Sequence, residues 1–243
     1  MFNSHALIPT ESSRPKHHPR ELSGDIIDKI VEIRLKHNRC AEVVYQELLN
    51  QGIPISLSSV KRTLSRQGLI KKRSPWKRWH FEVERPLALN PGDLVQIDTI
   101  HLIPGKLYVY TLIDVLSRWA QALVTERINT RRSLSFVCSS ERIFPFNFSM
   151  LQSDHGSEFS QWFTENIKAQ LGSNHRHSRV RMPSDNGHLE RFNRTLQDEC
   201  LRDIPRTLKS YEKAIPEYIH YYNNERLHLG LKLKTPQQVL RSY

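Results

Sequence analysis

The sequence predicts a mixed α/β domain preceded by a small all-helical module. Up to residue 70, apolar residues recur at helical spacing, whereas from residue 93 segments rich in β-branched and aromatic residues alternate with helical ones. Residues 1–90 carry 16 basic and 9 acidic side chains, and residues 91–243 carry 20 and 16. A basic module therefore leads a more nearly balanced domain, and the formal net charge of +11 favours a polyanionic partner.

Three short amphipathic helices are expected in the first module. Ser23 is placed to cap the N-terminus of the first helix, and Ile26, Ile30 and Ile33 follow at helical spacing. The second helix, AEVVYQELLN, is expected to stop before Gly52, because glycine readily adopts the left-handed conformation that ends helices.

The third helix is expected within LSSVKRTLSRQG, after a cap at Ser56. Its apolar side chains share one face, and Lys61, Arg62 and Arg66 lie on the other. Such a basic face suits a helix-turn-helix module over residues 21–70, whose recognition helix reads base edges in the major groove of DNA. A plain three-helix bundle with a solvated charged face would show the same pattern.

Two polar segments flank this module. Residues 1–20 have no apolar periodicity and are expected to form a flexible arm. Residues 71–90 are expected to be a basic linker that follows DNA phosphates while its tryptophans stack on sugars or bases. The basic side chains assigned to DNA in this linker are Lys71, Lys72, Lys77 and Arg78.

The composition excludes several classes of protein. No segment approaches the about 18 consecutive apolar residues of a membrane helix, and the first residues lack the apolar stretch of a secretion signal. Cys40, Cys138 and Cys200 are isolated from one another, so neither a zinc site of paired cysteines nor a disulfide framework is expected. We therefore expect a soluble cytoplasmic protein with reduced thiols and no membrane partner.

The α/β domain is expected over residues 91–243. Three segments, LVQIDTIHL, KLYVYTLID and WAQALVTE, are typical of strands. Helices then fit NTRRSLSFVCSSERIF and EFSQWFTENIKAQLG, short strands fit SMLQS and NHRHSRV, and the remainder is helical. The order βββαβαβα predicts a mixed sheet covered by helices.

Three carboxylates occupy positions unlike those of ordinary surface acids. Asp98 lies inside an apolar strand, Asp154 directly follows a short strand, and Glu190 lies in the helical segment NGHLERF. A buried carboxylate is costly unless a positive charge neutralises it. Because oxygen ligands suit hard cations, these acids predict a site for Mg²⁺ or Mn²⁺, and two such ions together promote phosphoryl transfer.

These acidic blocks resemble those of a known family. The D-x35-E spacing of Asp154 and Glu190, together with IDTIHL, SDHGSEF and NGHLERFNRTLQDE, is similar to the DDE integrase core of retroviral integrases and bacterial insertion-sequence transposases. YYNNERLHLGLKLKTPQQVL resembles the tail of such transposases, so the likeness covers residues 21–243. At His155, this chain departs from the asparagine that is more common in the family.

The resemblance implies a ribonuclease-H-like fold in which Asp98, Asp154 and Glu190 are the catalytic metal ligands. It implies metal-assisted cleavage of a DNA strand at an element end and transfer of the freed 3′-OH to target DNA, on a bacterial nucleoid. Asn193 and Arg194 share a helix face with Glu190, so Asn193 is expected to orient Glu190 or contact DNA, and Arg194 to meet a phosphate. Because two ends are joined in one event, homo-oligomers are expected on DNA.

Two other acids and an apolar stripe have structural interpretations. Asp114 is expected in a turn, and Glu158 is expected to start a helix, where its charge favours the helix dipole. The apolar stripe between Tyr211 and Tyr222, which Pro216 is expected to interrupt, either packs on the sheet or joins two subunits.

Two further functions fit parts of the sequence. A transposase-derived DNA-binding protein without catalysis would regulate or compete with transposition, but the intact acidic triad argues against it. A ribonuclease-H-type nuclease that cuts without joining would not need a site-specific DNA-binding module. We therefore expect a transposase or integrase that both cleaves and joins strands.

Overall fold

The computed structural model describes residues 22–37, 39–70, 87–179 and 183–243. The chain divides into two compact units, residues 1–73 and 74–243, and each is described by itself. The predicted arm and most of the predicted basic linker lie outside the described residues. The DNA-binding side chains expected there, and so also outside, are Lys71, Lys72, Lys77 and Arg78.

The first unit contains the three predicted helices. They are α1 (Gly24–His37), α2 (Ala41–Asn50) and α3 (Leu57–Arg66). The Ser56 side chain caps α3 by accepting a hydrogen bond from the backbone N–H of Ser59. Gly52 follows α2 with a φ of 75°, the left-handed conformation that glycine was expected to supply there. Ile30, Val44, Val60 and other buried side chains of all three helices form one apolar core.

The second unit is built on a five-stranded sheet. Its strands are β1 (Val95–Ile103), β2 (Leu107–Asp114), β3 (Ala120–Thr125), β4 (Met150–Ser153) and β5 (Asn174–His177). Their order across the sheet is β3-β2-β1-β4-β5, with β1, β2 and β3 antiparallel and β4 and β5 parallel to β1. The predicted mixed sheet is therefore confirmed, and β1 lies at its centre.

Helices cover both faces of this sheet. They are α4 (Thr130–Ile143), α5 (Gln161–Leu171), α6 (Gly187–Leu196), α7 (Leu208–Asn224) and α8 (Pro236–Leu240), with a π-helical turn at Gln197–Leu201. One core joins α4 and α5 to inward-facing residues such as Val95 and Ile97. A second core joins α6 and α7 to the opposite face, which Ile100 shares. Because side chains alternate along a strand, Gln96 and Asp98 also face α6 and α7.

The apolar stripe of α7 packs inside its own unit. Tyr211 and Tyr222, with the isoleucines between them, are buried against β3 and α6. The expected interruption at Pro216 was wrong, because α7 runs unbroken from Leu208 to Asn224. Pro216 is exposed, so its ring faces solvent, and the buried stripe stabilises the helix despite the cost of about 3 kcal/mol for an internal proline.

Membrane-spanning segments and disulfides were not expected. Within the described ranges, every helix is too short or too polar to cross a membrane. All three cysteines lie in those ranges, and none forms a disulfide.

Candidate metal centre

Asp98 lies near the middle of β1 and is largely buried. Its Oδ1 accepts a 2.7 Å hydrogen bond from the backbone N–H of Thr99, and its Oδ2 accepts a 2.9 Å bond from Nδ2 of Asn193 on α6. Burial and the negative charges of Asp154 and Glu158 raise the pKa of Asp98 to about 6. This carboxylate is thus held where its charge is unfavourable, as expected for a group that a cation neutralises.

Asp154 directly follows the end of β4, and β4 is the strand beside β1. Its Oδ1 accepts a 2.9 Å bond from the backbone N–H of Gly156, which closes a tight turn. A Cβ atom at Gly156 would lie 3.0 Å from Oδ1 of Asp154 and 2.7 Å from Oε2 of Glu158. A side chain at Gly156 would therefore displace both carboxylates, so glycine allows two acids to approach the same point.

Glu158 was predicted only to start a helix, and it does begin a short 3₁₀ turn, Ser157–Phe159. It is also buried, and its Oε1 accepts a 3.0 Å hydrogen bond from the hydroxyl of Thr99, next to Asp98. Glu158 thus belongs to the acidic site, which the sequence analysis missed. Its place four residues after Asp154 in SDHGSEF is the sequence feature that could have indicated this role.

Glu190 lies in the first half of α6 and is exposed. Three residues later on the same helix, Asn193 is buried and bonded to Asp98, so Glu190 is one helical turn from that contact. Among the described residues, no three His, Cys, Asp or Glu side chains form a group that could hold a metal ion. Asp98 lies close enough to Asp154 and Glu158 for their charges to raise its pKa, whereas Glu190 is exposed on α6.

The residues present fit a divalent cation. Asp98 and Asp154 supply carboxylate oxygens of the kind that Mg²⁺ and Mn²⁺ prefer. Beside them, Oδ1 of Asn193 is buried and has no hydrogen-bond partner within the described part of the chain. An unpaired buried acceptor is costly, and the water of a hydrated cation is a donor that would satisfy it.

Three histidines lie beside this site. The rings of His155 and His177 are stacked with centroids 4.9 Å apart, and His177 contacts the backbone carbonyl of Asp154 through Nδ1 at 2.7 Å. His175 lies between the hydroxyls of Ser153 and Thr164, and burial lowers its pKa to about 4. The pair of histidines therefore supports the loop that carries Asp154.

Two other predicted residues have separate positions. Arg194 is exposed on α6, one helical turn after Glu190, and forms a 4.0 Å ion pair with Asp198. Asp114 is fully buried at the end of β2, where it accepts hydrogen bonds from the backbone N–H of Gly92 and from both the N–H and hydroxyl of Ser117. Asp114 thus holds a turn together, as its position in the sequence indicated.

The basic face of α3 is exposed in the first unit. Lys61 forms an ion pair with Glu42 of α2, with 2.7 Å between Nζ and Oε1. Arg62 bonds the backbone carbonyl of Ser58 within α3, and Arg66 lies in the last turn. The two arginines and Lys61 therefore share one accessible surface, on which Lys61 is already paired with a carboxylate.

Comparisons with known proteins agree with this fold. Residues 171–236 match the family model described as integrase core domain. The transposase of insertion sequence element IS904 from Lactococcus lactis is 28% identical over 213 residues, which cover 78% of this chain and 82% of that protein.

Two solved structures share the fold. The simian T-cell lymphotropic virus intasome complex contains a chain with a TM-score of 0.54 and 15% identity, covering 88% of this chain and 75% of that one. The catalytic core domain of BIV integrase has a TM-score of 0.50 and 22% identity, covering 62% of this chain and 95% of that one. The chain therefore has the ribonuclease-H-like fold of these integrase cores, and its sequence is similar to the integrase core domain over residues 171–236 and to an insertion-sequence transposase.

Proposed function

We propose that this protein is a DNA transposase that cuts a strand at the end of an insertion element and joins the freed 3′-OH to target DNA. The observation that carries the proposal is the proximity of Asp98 on β1 to Asp154, which directly follows the neighbouring strand β4, with the pKa of Asp98 raised to about 6 by burial and by neighbouring charges. Perturbed carboxylates at the centre of a site are typical of catalytic groups.

In this proposal, two Mg²⁺ or Mn²⁺ ions are held by Asp98, Asp154 and Glu190. Bound there, the ions would activate the attacking hydroxyl and stabilise the oxygen that leaves the phosphodiester. Glu190 is favoured over Glu158 as the third ligand for two reasons. The carboxylate of Glu158 is buried and engaged by Thr99, whereas that of Glu190 is exposed on the helix that Asn193 ties to Asp98.

The residues around the acids have separate tasks. Asn193 fixes one oxygen of Asp98 and the backbone N–H of Thr99 fixes the other, so the carboxylate is held in one orientation. His177 holds the carbonyl of Asp154, which restricts the loop that carries the second acid. Arg194 is exposed on the same helix as Glu190 and is placed to meet a phosphate of the bound strand.

DNA recognition is assigned to the first unit. The exposed basic face formed by Lys61, Arg62 and Arg66 would enter the major groove at the element end. Because two ends must be joined in one event, more than one copy of the protein would assemble on DNA. The simian T-cell lymphotropic virus chain that shares this fold comes from an intasome complex, which supports that expectation.

The test is an assay of both steps on one substrate. The full chain is incubated with oligonucleotides that carry the flanking inverted repeat of the element and with a supercoiled target plasmid, with Mg²⁺ or with chelator. We expect cation-dependent nicking at the repeat and covalent joining to the plasmid. Specific binding without nicking would instead indicate a DNA-binding regulator, and nicking without joining would indicate a nuclease.

A further inference from the structure

Two buried glutamines lie directly below the acidic pair. Gln96 is two residues before Asp98 on β1, and Gln152 is two residues before Asp154 on β4. The two glutamines are register partners in the parallel pairing of these strands. Because side chains alternate along a strand, Gln96 shares a sheet face with Asp98. Gln152 lies on the same face, since its amide reaches the same carbonyl as that of Gln96. Gln96 is 2% exposed and Gln152 is fully buried.

Both side chains reach the same backbone atom. The Nε2 atoms of Gln96 and Gln152 donate hydrogen bonds of 2.6 Å and 3.0 Å to the carbonyl oxygen of Asp185, just before α6 begins. The amide of Gln152 also donates a 2.7 Å bond to Oδ1 of Asn186. The strands that carry the two acids are thus joined at one point to the start of the helix that carries Glu190.

Gln96 also replaces the missing cap of this helix. Asn186, at the cap position of α6, makes no capping bond with its own side chain. Instead, Oε1 of Gln96 accepts a 3.1 Å hydrogen bond from the backbone N–H of Leu189, in the first turn. The first N–H groups of a helix need such partners, and here the partner comes from β1. Leu189 is followed directly by Glu190, so this bond fixes the residue next to the third acid.

The same segment is held from its outer side by an ion pair. Nε and Nη2 of Arg179 donate hydrogen bonds of 2.9 Å and 2.8 Å to the carboxylate of Asp185, and the backbone N–H of Arg179 adds a third of 3.1 Å. These bonds lower the pKa of Asp185 to about 2, so the pair persists at physiological pH. Backbone and side chain of Asp185 are therefore both fixed.

Hydrogen bonds to one carbonyl specify position more narrowly than apolar packing does, because they are directional. Two apolar side chains at these positions would fill the same space, but they would not fix the position of the first turn of α6 relative to β1 and β4. Burying two amides is tolerated here because both form hydrogen bonds. The arrangement thus favours a role in placing α6 over a role in filling the core.

We propose that Gln96 and Gln152 are positioning residues that, through Asp185 and Leu189, set the place of Glu190 relative to Asp98 and Asp154. This inference rests on the proposed function, in which Glu190 is the third metal ligand. Glu190 is exposed in the first turn of α6, so its ability to reach a cation bound by Asp98 and Asp154 depends on where that turn is held. The glutamines act on the cation only through that turn.

The experiment measures Mn²⁺ affinity of the full chain by electron paramagnetic resonance. Gln96→Met and Gln152→Met keep the side-chain length and remove the hydrogen bonds, and each is made in the natural chain and in a Glu190→Gln background. We expect each methionine to weaken Mn²⁺ binding about 10- to 100-fold in the natural chain, as losses of supporting contacts do. In the Glu190→Gln background we expect no further loss, because the ligand that the glutamines position is already gone.

Gln161→Met on the exposed surface of α5 is the matched control and should leave the affinity unchanged. Equal loss in both backgrounds would overturn the proposal, because the glutamines would then act on the fold as a whole. If Gln96→Met or Gln152→Met prevents folding, Arg179→Met is tested in their place. The half-exposed side chain of Arg179 holds Asp185, the same residue that the glutamines hold. Arg179→Met should show the same dependence on Glu190.

Amide hydrogen exchange tests the positioning role of the glutamines independently of metal binding, so a failure of the proposed function can be distinguished from a failure of this proposal. If the natural chain binds no Mn²⁺, the proposed function fails, and the amides of residues 186–190 then decide the role of the glutamines. Faster exchange of these amides in Gln96→Met, with unchanged exchange in the strands, would support the positioning role. Unchanged exchange in the first turn of α6 would overturn it.

Discussion

Nδ2 of Asn193 donates a 2.9 Å hydrogen bond to Oδ2 of Asp98, and this bond joins α6 to the central strand of the sheet. Asn193 is buried, and its Oδ1 has no partner in the described part of the chain. The amide of Asn193 therefore donates to Asp98 and keeps an unused acceptor beside it. A water molecule of a bound hydrated cation would be a donor for that acceptor.

Replacing Asn193 should change the pH dependence of catalysis. Its hydrogen bond favours the charged form of Asp98, so Asn193→Ala should raise the pKa of Asp98 further above about 6. We expect the acid limb of the Mg²⁺-dependent nicking rate to move to higher pH. The measurement is a pH–rate profile between pH 5 and 9, with Asn166→Ala on α5 as the control. An unmoved acid limb would show that Asn193 has no influence on the ionisation of Asp98.

Without divalent cations, two groups should give opposite pH dependences of stability. The pKa of Asp98 is raised from 3.8 to about 6, so the folded state binds more protons than the unfolded state, and stability falls as pH rises through this window. The pKa of His175 is lowered from 6.5 to about 4, so the unfolded state binds more protons, and stability rises with pH.

The two effects overlap and should largely offset each other in the natural chain. In Asp98→Asn, urea denaturation should show the free energy of unfolding increasing from pH 4 to 6.5. In His175→Gln, the free energy of unfolding should decrease over the same range. Parallel profiles for these two variants would contradict the assigned directions.

Asp114 should be required for folding and dispensable for metal binding. It is fully buried, and its carboxylate accepts three hydrogen bonds from Gly92 and Ser117. Asp114→Ala leaves these donors unpaired, and we expect a loss of about 3 kcal/mol or more in the free energy of unfolding. Mn²⁺ titration of the folded fraction should give the affinity of the natural chain. A weakened affinity would place Asp114 in the metal site.

The basic residues of α3 should not contribute equally to DNA binding. Arg62→Ala and Arg66→Ala should each cost about 1–3 kcal/mol of binding to the element end and relax its sequence preference. Lys61 is already paired with Glu42, so Lys61→Ala should cost less, and Glu42→Gln should strengthen binding. Fluorescence anisotropy at several salt concentrations measures these effects. Equal losses for all three basic residues would show that the Glu42 pair opens freely.

Much of the fold was predictable because local and long-range preferences agree. α2 spans the predicted segment AEVVYQELLN, and α3 starts after the predicted cap at Ser56. The order of strands and helices in the second unit followed from alternating and helical apolar periodicities. The expected interruption at Pro216 was wrong because the local cost of this proline is outweighed by burial of the α7 stripe, which depends on tertiary packing.

The site was predictable only in part. The positions of Asp98 and Asp154 on neighbouring strands follow from the strand pattern and the resemblance. The roles of Gln96 and Gln152 were not predictable from the sequence. The hydrogen-bond partner of a glutamine in a strand cannot be inferred until the register of β1 and β4 is known. Glu158 was interpreted from its place at a helix start, and its contact with Thr99 depends on the packing of that turn against β1.

The identity of the third metal ligand is the central claim, and anomalous diffraction tests it most directly. Crystals of the full chain soaked in MnCl₂ should show a Mn²⁺ peak bound by Asp98 and Asp154, with the side chain of Glu190 turned inward to complete the site. The same soak of Glu190→Gln should lose occupancy, whereas Glu212→Gln on the exposed surface of α7 should not. A peak bound by Glu158 in place of Glu190, or no peak between Asp98 and Asp154, would contradict the account.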